Sequence, residues 1–204
     1  MEETANSISH GLGLLAVIVG TPFLIVQAAG KGNVGYIVGA SLFCASAIFL
    51  YLSSTIYHAL PAGRHKNVFR LFDHCAIFLL IAGTYTPFTL GVLRGTLGWT
   101  LFGIVWCLAA AGVSLKLLGK ASHPIFSISL YLLMGWLVVS AGKTLLSIML
   151  PEGLLWLLAG GLFYTVGVIF YITDAKLKFG HFIWHLFVTL GTASHYFAVL
   201  WYAS

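Results

Sequence analysis

Residues 34–58 read VGYIVGASLFCASAIFLYLSSTIYH, an apolar run without a single Asp, Glu, Lys or Arg that ends on a histidine. About 20 such residues in a helix cross the roughly 30 Å hydrocarbon core of a bilayer, so the stretch is predicted to be a transmembrane helix. Outward from it the pattern repeats, with apolar runs at 8–29, 69–90, 96–117, 124–146, 152–173 and 181–203. The turns between them are short and polar, Gly30-Lys31-Gly32-Asn33 and the segment 176–180 among them, leaving no room for a soluble domain. The expectation is a single domain, 1–204: an all-α membrane protein, a seven-transmembrane-helix bundle with consecutive helices as antiparallel neighbours.

Composition agrees. Hydrophobic residues make up 60% of the 204 and charged ones 7%, and the mean hydropathy is +1.00, which excludes an ordinary soluble domain. Glu2 and Glu3 stand where a signal peptide would carry positive charge, so the first span is expected to be retained. Cys44, Cys75 and Cys107 fall in separate spans without a CxxC pair and read as packing residues. Ten Lys+Arg against five Asp+Glu could point to an anionic partner, but the charges are scattered among loops, and no nucleic acid is expected. Topology accounts for them. Loops on the N-terminal side hold Arg64, Lys66, Arg70, Lys116, Lys120, Lys176 and Lys178, seven in all, against three, Lys31, Arg94 and Lys143, on the other. Positive loops stay inside, which predicts a cytoplasmic N-terminus, an external C-terminus and, in a bacterium, the plasma membrane. The same count opposes a G-protein-coupled receptor. Pro22 and Pro87 are expected to kink their spans, Pro124 and Pro151 to begin theirs, and the 23 glycines to allow close helix packing.

Against this apolar background the ionisable residues stand out, because such groups at membrane depth are costly and mark functional sites. His181-Phe-Ile-Trp-His185 places two imidazoles at i and i+4, one above the other and about 6 Å apart along a helix. With the predicted topology, His58 at the end of its span and Asp73 near the start of the next reach the same leaflet. Three imidazoles from two helices with an open fourth position describe a catalytic zinc site, Zn2+ being held by His58, His181 and His185. Asp73 is then the group that orients a bound water or ligand. Ser54 lies one turn before His58, on the same face. Asn6 and Glu3 precede His10 by four and seven residues; that strip either extends the site or caps the first helix. His195, roughly 15 Å beyond His185, is expected to form a buried hydrogen bond to another span instead. His65 and His123 are expected in solvated loops, and His74, turned about 100° from Asp73, outside the site.

The segments Glu3-Thr-Ala-Asn6-Ser-Ile-Ser-His10, Ser54-Thr-Ile-Tyr-His58, Phe72-Asp73-His74, His181-Phe-Ile-Trp-His185 and Ser194-His195-Tyr-Phe occur in this order across nearly the whole chain. Together they resemble the hemolysin III branch of the progestin and adipoQ receptor family. The resemblance implies a seven-helix bundle with a cytoplasmic N-terminus, zinc on the residues matching His58, His181 and His185, and Asp73 as partner of the zinc-bound water. The family in turn resembles alkaline ceramidases at these motifs. The long N-terminal extension of the animal hormone receptors is not matched, so hormone binding is not expected to carry over.

The function expected is a zinc-dependent hydrolase acting on an amide or ester bond of a membrane lipid. In it Asp73 handles the proton and Ser54 helps to position substrate. The rival readings are a lipid-sensing receptor with structural zinc and a hemolysin-type pore; the pore is the weaker, because no ring of charge lines an ion path. A retinal protein needs a lysine in its last span, and 181–203 has none.

Overall fold

The computed structural model describes residues 1–120 and 124–204. All regular structure among these residues is helical: α1 Glu2–Gly30, α2 Val34–Ala59, α3 Arg64–Pro87, α4 Gly95–Leu117, α5 Pro124–Trp136, α6 Gly142–Ile148, α7 Pro151–Thr173 and α8 Gly180–Tyr202. A π-helical turn, Phe88–Val92, prolongs α3, and a 3-10 turn, Leu137–Ala141, joins α5 to α6. The described residues therefore contain seven rods long and apolar enough to cross a membrane, as the hydropathy pattern predicts.

Local chemistry sets their ends. The Asn33 side chain accepts from the Tyr36 N–H and caps α2, and Gly32 before it holds φ +66, where a side chain would be strained. Pro124 and Pro151 open α5 and α7, where a missing N–H costs nothing. Pro22 lies inside α1, and Pro87 closes the α-helical part of α3.

Two expectations need correction. The third span begins at Arg64 rather than 69, so His65 is an exposed residue of the first helical turn and not of a loop. Residues 64–68 are too polar for a hydropathy window to include. Their turn is tethered instead by Lys66, whose ammonium donates to the Tyr57 and Leu60 carbonyls and to Glu3, each at 3.1 Å. The fifth span, expected to be continuous over 124–146, breaks at Leu137–Ala141. There the Tyr85 hydroxyl enters the backbone ladder. Its single proton is shared between the Met134 and Gly135 carbonyls, both at 2.8 Å, and its oxygen accepts from the Val138 N–H at 2.7 Å. A side chain inserted in this way is a recognised cause of helix breaks. His123 lies outside the described residues.

Helix α2 packs against both α1 and α3, α7 packs against α8, and α1 meets α8, bringing first and last spans together. Small residues permit the close approaches: Gly13 lies under the Tyr51 ring and Gly39 against the Pro87 backbone. Polar ties reinforce them, the Tyr36 hydroxyl donating to the Val199 carbonyl and the Tyr196 hydroxyl to that of Gly20, each at 2.7 Å. The start of α1, the end of α2, the start of α3 and the start of α8 thereby gather at one end of the bundle.

Candidate metal centre

His58 sits in the last turn of α2, and His181 and His185 share one face of α8. One ligand atom from each lies within 4.8 Å of the others. The ring centroids form a nearly equilateral triangle: 5.1 Å between His58 and His181, 4.9 Å between His58 and His185, and 4.9 Å between His181 and His185.

The hydrogen bonds around the triangle orient all three rings in the same sense. Nδ1 of His58 is 2.8 Å from Glu3 Oε2, Nδ1 of His181 is 3.2 Å from Asp174 Oδ2, and Nδ1 of His185 is 3.1 Å from the Asn6 carbonyl. Carboxylates and carbonyls only accept, so in each neutral ring Nδ1 carries the proton and Nε2 keeps its lone pair. On His58, Nε2 is buried and has no hydrogen-bond partner. An orphaned buried nitrogen is costly unless something else binds it. Three imidazoles with their outer nitrogens tied to oxygen are the donor set zinc favours, so these residues could hold that ion.

Asp73, carried by α3, lines the same cavity as His181 and His185. Ser54 is fully buried; its hydroxyl faces Asp73 and lies 2.7 Å from Nδ1 of His10. Its hydrogen-bonding histidine is therefore outside the triad. His10 in turn stacks on His185, centroids 3.5 Å apart and planes within 8°. Of the two readings of the α1 strip, the structure favours extension of the site. Glu3 turns to His58, the Asn6 carbonyl meets His185, and the α1 N-terminus has no side-chain cap. Sequence reasoning missed Ser9, whose hydroxyl is 3.2 Å from His185 Nδ1, and Asp174, which is brought to His181 only by the turn before α8.

His74 and His195 stand apart from the triangle. His195 binds the Leu157 carbonyl of α7 through Nε2 at 3.2 Å, the expected bond to another span. His74 borders the cavity, and its backbone carbonyl accepts from the Tyr131 hydroxyl at 2.9 Å.

The cavity together with the open space at its mouth measures about 1030 Å³, and away from the histidines its wall is apolar, with Leu80, Ile81, Val168 and Val188. A second space of about 970 Å³ shares Tyr85, Trp136 and His195 with the first and reaches the exposed side chains of Leu146 and Leu158.

Residues 1–196 match the family model described as Haemolysin-III related. The chain belongs to the haemolysin III family. It is similar to the Hemolysin-3 homolog of Bacillus subtilis (strain 168), 46% identical over 201 residues, which cover 98% of this chain and 94% of the relative. Hemolysin-3 of Bacillus cereus is 43% identical over 201 residues, 98% of this chain and 91% of that one. The human Monocyte to macrophage differentiation factor is 30% identical over 209 residues, covering 97% and 83%. This last haemolysin III relative belongs to the progestin and adipoQ receptor family, in line with the motif resemblance. Seven spans and bacterial relatives together make the chain a multi-pass membrane protein, placed in the plasma membrane.

Proposed function

We propose that this haemolysin III family member is a zinc-dependent hydrolase that cleaves an amide or ester bond of a membrane lipid. The observation that carries this reading is the convergence of three imidazoles, each with Nδ1 tied to oxygen, beside Asp73 at the head of an apolar cavity. When bound to His58, His181 and His185, zinc supplies a Lewis acid that lowers the pKa of water to about 7 and polarises a carbonyl. The chain's own groups do the rest. Asp73 accepts the proton of the attacking water and returns it to the leaving amine or alcohol. Ser54, fully buried and bound to His10, helps to position substrate from behind the cavity wall, through His10 and Asp73. The apolar wall receives the acyl chain and keeps bulk water out. A cytoplasmic N-terminus would put this chemistry in the inner leaflet.

A receptor or lipid sensor is the second reading, and one observation favours it. The triad comes from α2 and α8, so a bound ion would fix one helix to the other without any chemistry. Asp73→Asn separates the two. The hydrolase retains zinc in this variant and loses about 10²–10⁴-fold in rate, because an amide cannot take up the proton. Free fatty acid released from ceramides, N-acyl amides and phospholipids is the measurement, with metal-stripped protein as control. No release by the zinc-loaded wild type would leave the sensor.

A further inference from the structure

Glu3 is remote in sequence from every triad histidine, yet its carboxylate is 2.8 Å from His58 Nδ1. The His58 side chain is 3% exposed and that of Glu3 54% exposed, so a buried ring is anchored by a carboxylate at the water's edge. Lys66 grips the same Glu3 oxygen at 3.1 Å and also holds the Tyr57 and Leu60 carbonyls on either side of His58. Three elements, α1, α2 and α3, are thereby joined at one carboxylate oxygen. The consequence lies on the opposite edge of the ring: with the Nδ1 proton given to Glu3, His58 presents a buried, unpartnered Nε2 to His181 and His185.

We propose that Glu3 is a positioning residue of the metal centre, one that fixes the tautomer and rotation of the His58 ring and so sets how tightly the triad holds its ion. The inference rests on the zinc reading above. Removing the bond leaves His58 free to rotate or to place its proton on the nitrogen that should bind metal. The polar contacts of Glu3 Oε2 are with the His58 ring and the Lys66 ammonium, and Glu3 does not line the cavity, so its effect on substrate is indirect.

Zinc affinity measured by competition with a chromogenic chelator, on purified full-length protein, gives the test. Glu3→Ala is expected to weaken zinc binding about 10–100-fold, the usual result of deleting an outer partner of a ligating histidine. Glu3→Gln is expected to weaken it less, because its carbonyl still accepts from Nδ1 while the charge is gone. The thermal midpoint of the metal-free variants should match that of the metal-free wild type, a result that separates positioning from folding. The visible spectrum of the cobalt-substituted protein should change in Glu3→Ala, because the geometry of one ligand has. Wild-type affinity in Glu3→Ala overturns the proposal, as does a loss that follows a lowered metal-free midpoint. A wild type that binds no zinc overturns the underlying metal reading as well.

Discussion

His58 and His195 are both histidines packed within apolar helices, and each keeps one ring nitrogen without a partner. Their surroundings decide what each can do. The free nitrogen of His58 meets those of two other rings, whereas His195 spends Nε2 on the Leu157 carbonyl and stands outside the triangle. Losing one ligand of three leaves an incomplete shell, so His58→Ala and His181→Ala should be purified without zinc. His195→Ala should keep it. Elemental analysis of the three proteins checks this, and near-stoichiometric zinc in His181→Ala would remove the assignment. The pairing of His181 with His185 was legible because i, i+4 spacing is local. What holds the rings was not, since the Asn6 carbonyl and Ser9 reach His185 only through tertiary packing and Asp174 reaches His181 only through the turn before α8.

At the scale of elements, hydropathy located seven spans but not their internal breaks, because it registers apolarity and not where backbone hydrogen bonds go. The 3-10 turn that interrupts the rod of α5 and α6 is itself apolar, Leu-Val-Val-Ser-Ala, so hydropathy gives no sign of a break there. The interruption comes from a hydroxyl on α3, which no window over 124–148 contains. Tyr85→Phe removes the partner of the Val138 N–H and of two carbonyls. A buried polar group left unsatisfied costs about 1–3 kcal/mol, so this variant should melt at a lower temperature in detergent. Thr173→Val, which removes an exposed hydroxyl bonded only to the Ile169 carbonyl of its own helix, should change the midpoint far less. Equal midpoints for Tyr85→Phe and wild type would mean that the break is held by something else.

For the whole molecule, the loop charges predict an orientation that helix geometry alone does not supply. A reporter active only in the cytoplasm should work when inserted between Ala62 and Gly63, in the turn before α3, and stay silent when fused after Ser204. The reverse pattern would move the metal centre to the outer leaflet. A predicted orientation was legible in the alternating loops, because charge bias acts on each loop separately. The meeting of α1 with α8 was not, since no local pattern encodes which distant helices touch.

That meeting also bears on how the protein is made. Glu3, Asn6 and Ser9 leave the ribosome long before His181 and His185, yet Asn6 and Ser9 bond to His185 and Glu3 bonds to His58, another corner of the same triangle. A nascent chain that has not yet added α8 holds one imidazole of the three, and its early polar strip waits in the bilayer without the His185 ring to which Asn6 and Ser9 bond. An ion that needs all three imidazoles could therefore be captured only once α8 has joined α2, so occupancy of the centre would report that these two helices have met.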